Sequence, residues 1–302
     1  MGDLVYRVAV VSGKGGTGKT FIASSLTILI SQGSSVVSID ADVEAPDLEI
    51  ALGGGDVIEV KELYEGRVAE VSYERCFRCL KCAEVCRFGA VSVLEGNVPV
   101  IDKYLCEGCG ACSIVCPSGA ISYVPSKLGT MKVVRTKFGY LVTASLDLGR
   151  RGSGHLVELE KSRGLELAKE SDAKFIVLDG PPGIGCPLIA TVVDADYVVI
   201  VTEPTPQALH GLARVAEVVK FFGKKFGVVI NKFDVNEEYC TLVEKWCKEH
   251  GGSILGSLPY DRCVVEAYTR VTPPLLYCKE RKSPCFEAMV SIYENLLRDL
   301  GV

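Results

Sequence analysis

Apolar positions in this chain fall into short β-branched runs separated by longer amphipathic stretches, which is the pattern of a mostly parallel sheet wrapped by helices. Val8-Ala-Val-Val11 is the first such run and reads as a fully buried strand. Phe21–Ile30 has the length of a helix, with Gly33 as its stop signal. Val36-Val-Ser-Ile39 is a second buried strand, ending in two carboxylates, Asp40 and Asp42. The pattern returns at Lys174-Phe-Ile-Val-Leu-Asp179, Tyr197-Val-Val-Ile-Val-Thr202 and Phe226-Gly-Val-Val-Ile230. From Pro284 to Val302 the chain reads as an amphipathic helix with acidic and basic residues mixed.

Between the first strand and the first helix lies Gly13-Lys-Gly-Gly-Thr-Gly-Lys-Thr20, which satisfies G-x-x-x-x-G-K-[ST]. Strand, glycine loop and helix in that order form the context of a phosphate loop. Gly13, Gly15, Gly16 and Gly18 let backbone N–H groups around Thr17 turn toward phosphates, and the helix N-terminus adds positive partial charge. Lys19 reaches the β- and γ-phosphates of ATP, or the β-phosphate of ADP, and the Thr20 hydroxyl ligates Mg²⁺. A ligand-free βα turn has no need of that lysine and hydroxyl.

Cysteine changes the picture in the middle of the chain. There are 14 cysteines in 302 residues, and beside a nucleotide loop they point to metal binding rather than disulfides. After Gly53-Gly-Gly55 a repeat with a period of thirty begins. Cys76, Cys79, Cys82 and Cys86 recur as Cys106, Cys109, Cys112 and Cys116, and Gly89-Ala90 recurs as Gly119-Ala120. Each block is the C-x₂-C-x₂-C-x₃-C run of bacterial ferredoxins, whose fourth cysteine ligates the other cluster. One [4Fe–4S] cluster is therefore assigned to Cys76, Cys79, Cys82 and Cys116, the second to Cys106, Cys109, Cys112 and Cys86. Two triplets plus two single cysteines fit paired zinc knuckles poorly. Cys116 is followed by the usual Pro117, Cys86 by Arg87. So short a module has little core of its own, and the clusters are expected to hold it together.

Lys14 narrows the reading, because an ordinary phosphate loop needs no second cation there. With it the loop resembles the deviant loop of the MinD/ParA/Mrp group, which includes the nitrogenase iron protein. The whole chain resembles the MinD-like ATPases that carry an inserted ferredoxin domain. The resemblance implies an α/β P-loop NTPase fold, with ATPase residues 1–58 and 126–302 flanking a ferredoxin-like α+β insertion at 59–125. It also implies a nucleotide-dependent homodimer in which Lys14 contacts the partner's nucleotide, as an arginine finger does. Asp42 would sit by the γ-phosphate and the attacking water, with Asp40 a supporting Mg²⁺-shell or structural residue. Asp47 is a weaker switch candidate that reads better as a helix cap or solvated carboxylate. Asp179 ends a Walker B strand and holds Mg²⁺ through a water, and the Gly183 amide senses the γ-phosphate. Asn231 resembles the adenine-contacting asparagine, and Pro259, Tyr260 and Asp261 the loop that closes over the base. Thr202-Glu-Pro-Thr-Pro206 resembles a third loop near the dimer interface.

Cys186 lies seven residues after Asp179, the spacing of a cluster ligand in the nitrogenase iron protein, but residues 126–178 contain no second cysteine. It reads either as a functional thiol or as a small buried hydrophobe. Cys240 and Cys247 sit seven apart on one helix, as core or incidental residues, while Cys263, Cys278 and Cys285 show no ligand spacing. His210 is assigned no catalysis. The net charge of −5 offers no basic field for nucleic acid or anionic lipid. No apolar run reaches membrane-spanning length, no leader pattern precedes the first strand, Tyr6 stands where myristoylation wants a hydroxyl, and the last helix is not a basic membrane anchor. A cytoplasmic ATPase follows, with three roles in order: electron transfer to or from a redox partner, cluster delivery to an acceptor protein, and MinD/ParA-like positioning.

Overall fold

The computed structural model describes residues 5–150 and 153–302. In chain order its first elements are β1 (Tyr6–Ser12), α1 (Lys19–Ile30), β2 (Val36–Asp40), α2 (Leu48–Ala51) and β3 (Asp56–Val71). There follow α3 (Lys81–Val85), β4 (Val91–Leu94), β5 (Val98–Ile101), α4 (Ala111–Ile114), β6 (Ile121–Thr136) and β7 (Gly139–Leu146). The rest is α5 (Ser153–Glu170), β8 (Phe175–Pro182), α6 (Cys186–Val192), β9 (Tyr197–Thr202), α7 (Pro206–Phe221) and β10 (Lys225–Asn231). A 3₁₀ turn at Phe233–Val235 then leads to α8 (Glu237–His250), β11 (Ser253–Leu258), α9 (Arg262–Thr269), α10 (Pro274–Glu280) and α11 (Pro284–Leu300).

These residues divide into two compact units, 5–61 with 131–145 and 153–302, and 62–130 with 146–150. The chain leaves the first unit within β3 and returns within β6, so the second unit runs past residue 125. In the first unit the strand order begins β11-β10-β9-β1-β8-β2-β7, and every pairing in that run is parallel. β1 is central because Val8, Ala9, Val10 and Val11 are wholly buried, and only a strand covered on both faces tolerates an unbroken apolar run. The sheet's strands reach the same rim with Ser12, Asp40, Asp179, Thr202 and Asn231. Ligands of doubly wound folds bind at that carboxyl edge. α1 is buried along nearly its whole length, Lys19 included, which ties the phosphate loop to the core.

The second unit is built differently. β4 and β5 form an antiparallel hairpin, with Val91 opposite Ile101 and Leu94 opposite Val98. The buried cluster consists of Ala69, Cys82 and Ile121, with Cys106, Cys112, Cys116 and Tyr123 among the side chains packed on it. The thirty-residue period is visible in the backbone. Arg78 and Leu80 take φ of 55° and 60°, and their repeat mates Gly108 and Gly110 take 61° and 94°. Gly89 and Gly119 match at 64° and 59°. The second copy uses glycine where the first forces arginine and leucine into the left-handed region.

Candidate functional site

The phosphate loop borders a pocket of about 470 Å³ lined by Gly15, Gly16, Gly18, Lys19, Thr20, Asp42, Asp47, Asn231, Pro259, Tyr260 and Asp261. Val264, Val265, Tyr268 and Cys285 complete its apolar end, and none of these had a motif to announce it. The glycine loop, the Thr20 hydroxyl and the Pro259–Asp261 loop therefore share one concavity.

The loop is held by tertiary contacts. Asn231 Nδ2 donates to the Thr17 carbonyl oxygen at 2.8 Å, and Asn231 Oδ1 accepts the Lys232 N–H at 3.0 Å. Each end of the amide keeps spare hydrogen-bonding capacity and still faces the pocket. Gly18 has φ of +91°, and a Cβ there would overlap Asn231 Nδ2. Gly13 packs so closely on Gly211 of α7 that a Cβ would strike its backbone. At the base end, Asp261 accepts the Cys263 N–H at 2.8 Å and the Ser283 hydroxyl, fixing the starts of α9 and α11 together.

Three carboxylates differ in placement. Asp42 faces the pocket; burial raises its pKa, and Lys19 opposes the rise. Asp179 is 1 % exposed with neither oxygen in a regular hydrogen bond. Burial pushes it to about 6 against the pull of Lys19 and Thr20. It lies behind the pocket lining, next to the Thr20 it was expected to join at Mg²⁺. Asp40 is fully buried, and its Oδ2 accepts the Leu48 N–H at 2.8 Å, anchoring α2. Its Oδ1 has no partner, and burial, then Asp179, hold its pKa well above the usual range.

Two residues expected at a nucleotide have partners within the chain. The Gly183 N–H, expected at the γ-phosphate, donates to the Ser12 carbonyl oxygen at 3.0 Å. Lys14, expected to reach a partner subunit, pairs within its own chain with Glu203 Oε2 at 2.6 Å. Glu203 also takes Lys232 Nζ at 2.6 Å on Oε1, and Lys232 reaches the Gly16 carbonyl oxygen at 3.2 Å. Burial raises the Glu203 pKa, but the two lysines outweigh it and hold the carboxyl below the usual value. The sequence places Glu203 in the Thr202–Pro206 loop without a role for its carboxylate and gives Lys232 none, although both follow strand ends on the rim that carries Asp179. Among the other named residues, Asp47 lines the pocket and makes no side-chain cap to α2. Cys186 is exposed at the start of α6, and His210 is exposed on α7.

In the second unit two separate small cavities, about 20 Å³ each, are lined by the cysteines. One is lined by Cys76, Cys79, Cys82 and Cys116, the other by Cys86, Cys106, Cys109 and Cys112. Each set takes three thiols from one repeat and the fourth from the other. Backbone amides point at the sulfurs: Arg78 N–H to Cys76 Sγ at 3.4 Å, Ala120 N–H to Cys116 Sγ at 3.3 Å, and Ala69 N–H to Cys106 Sγ at 3.4 Å. Among the described residues no group of three or more His, Cys, Asp or Glu side chains is placed to hold a metal ion.

The family model for the CobQ/CobB/MinD/ParA nucleotide-binding domain matches residues 8–275. The chain belongs to that family. It is a P-loop ATPase of the MinD/ParA type. An uncharacterised protein of Methanocaldococcus jannaschii is 32 % identical over 294 residues, 97 % of each chain. A protein of Pyrococcus abyssi named an iron–sulfur cluster carrier is 25 % identical over 310 residues, covering 98 % of this chain and 86 % of that one. In fold the chain is similar to the cell-division ATPase MinD of Pyrococcus furiosus, with a TM-score of 0.60 at 17 % identity over 98 % and 99 % of the two chains. Among the described residues no helix is long and apolar enough to cross a membrane.

Proposed function

We propose that this ATPase is an iron–sulfur protein that couples its nucleotide state to electron transfer through two [4Fe–4S] clusters in the second unit. The observation that carries this reading is the pair of cavities, each bordered by four thiols in the crossed partition of a ferredoxin repeat. Three thiols from one repeat and the fourth from the other match the ligand set of a ferredoxin cluster, whereas zinc sites use paired C-x₂-C knuckles. When bound, the clusters would supply one-electron transfer; the eight cysteines and the amides aimed at their sulfurs are the residues that hold them.

At the nucleotide, Lys19 and the glycine-loop amides bind the phosphates, and Thr20 with Asp179 holds Mg²⁺. Asp42 orients the attacking water. Lys14 leaves Glu203 and meets the nucleotide of a second copy, neutralising charge that develops in the transition state. Asn231 and the Pro259–Asp261 loop hold the base. Closure of this homodimer draws the Gly183 amide from Ser12 and moves the switch segment that follows Asp179.

A second reading is favoured by the carrier name borne by the Pyrococcus abyssi relative and by the exposure of Cys186. In it the protein delivers a labile cluster to an acceptor, with Cys186 as one ligand. Anaerobic purification tests the cluster assignment: about eight irons and eight acid-labile sulfides per chain are expected, and stoichiometric zinc without sulfide would remove it. Reconstitution of Cys186→Ser separates the two roles. Electron transfer predicts unchanged iron and reducibility, whereas delivery predicts loss of an extra cluster and of transfer to an apo-acceptor.

A further inference from the structure

The two cysteine cavities are not equivalent, and the difference lies in their hydroxyl groups. The cavity of Cys86, Cys106, Cys109 and Cys112 is lined by Tyr123, whose repeat mate thirty residues earlier is Val93. The phenol oxygen is sealed from solvent and makes no regular hydrogen bond. Tyr123 lines one cavity and packs on one hydrophobic cluster with Cys112, and the Ser113 hydroxyl and the Cys112 thiol both stand within its reach. A buried hydroxyl left unpaired is costly. This one faces a sulfur that would become a strong acceptor as a cluster thiolate. Arg67 holds it there, with the guanidinium carbon 4.2 Å from the ring centroid. Gly108 packs on the Arg67 carbonyl so tightly that a Cβ would overlap it, which fixes this part of β3 beside the Cys106–Cys109 loop. The other cavity has a different device. Ser118 lines it, with Oγ 3.6 Å from Cys116 Sγ, and the repeat mate of Ser118 is Phe88, in the first cavity.

We propose that Tyr123 sets the reduction potential of the cluster held by Cys86, Cys106, Cys109 and Cys112, by donating its hydroxyl to the Cys112 sulfur. The proposal rests on the two-cluster reading. Reduction adds negative charge to a cluster and its sulfurs, and a hydrogen bond to sulfur stabilises that state, so the bond raises the potential. Arg67 acts in the same direction through its charge and by polarising the phenol across the ring face. Tyr123 is thus a positioning residue for one electron, and it acts on one cluster of the two.

The test is an EPR-monitored redox titration of the anaerobically purified full chain. Tyr123→Phe keeps the ring and removes the hydroxyl. One midpoint potential should fall while the other stays at its wild-type value, with iron content unchanged. Arg67→Met should lower the same potential by less. Ser118→Ala should shift the other potential, which also assigns each couple to its cysteine set. Two unchanged potentials in Tyr123→Phe, or equal shifts of both, would overturn the role of Tyr123. A wild-type chain without iron and sulfide would instead overturn the cluster reading beneath it, and the iron assay distinguishes that failure from the first.

Discussion

The nucleotide pocket and the cysteine cavities are organised on opposite principles. Around the phosphate loop the protein supplies the order: a parallel sheet buried on both faces, an α1 buried along nearly its whole length, and Asn231 holding the loop at Thr17. Around the cysteines the buried cluster is Ala69, Cys82 and Ile121, with further cysteines among the residues packed on it. Much of what packs there consists of cysteines. The first site is preorganised by its fold, and on the proposed reading the second depends for its stability on the clusters it holds.

The strongest way to break that contrast is to remove ligands from each region. Cys82→Ser should lower iron from about eight to about four per chain and loosen the second unit, seen as new protease-sensitive sites between residues 62 and 130. The first unit should keep its nucleotide affinity. Lys19→Ala should abolish nucleotide binding while the fold survives, because the loop is pinned from outside. Lys14→Ala should keep binding and lose hydrolysis by about 10³-fold, the low end for a trans-acting cation. Equal turnover in wild type and Lys14→Ala would make Lys14 a loop cation only.

Smaller effects sharpen the picture of the preorganised site. Gly18→Ala combines a left-handed backbone with a clash on Asn231 and should cost about 1–3 kcal/mol of stability, read from urea midpoints with and without MgADP. Asp179 gives a pH signature. Burial raises its pKa from 3.8 to about 6, so between those values the folded chain keeps a proton that the unfolded chain has lost. Without Mg²⁺, stability contributed by Asp179 therefore falls as pH rises from about 4 to 6. The difference in urea midpoint between wild type and Asp179→Asn should decline across that window in EDTA. A flat difference would show that Asp179 is not desolvated. The smallest effect belongs to Glu203→Gln. Removing the charge that holds Lys14 and Lys232 should lower the ATP concentration needed for dimerisation by about two- to fivefold, within the range of a partly exposed ion pair.

Much of the architecture was legible because it rests on local rules. β-branched runs marked the buried strands, and β9 spans the same Tyr197–Thr202 read from the sequence. The crossed grouping of cysteines followed from their spacing and recurs in the two cavities. What stayed hidden depends on tertiary proximity. Glu203 meets Lys14 only because β9 and β1 are neighbours. Glu160 reads as one more helix carboxylate, yet it is wholly buried with both oxygens unpartnered. Val264, Val265 and Tyr268 reach the pocket from α9 with no periodicity to separate them from core. The Gly183 amide was assigned to the phosphate by motif, and its bond to Ser12 is a feature of this arrangement of the rim.

Coupling between the two regions is tested most directly by the rate at which a low-potential ferredoxin-type donor reduces the clusters, followed by anaerobic EPR. The wild-type chain is compared with MgATP and without nucleotide, beside Lys14→Ala with MgATP. If nucleotide closure controls electron entry, MgATP accelerates reduction in the wild type and leaves Lys14→Ala at the nucleotide-free rate. Equal rates in all three, with both clusters present, would contradict it.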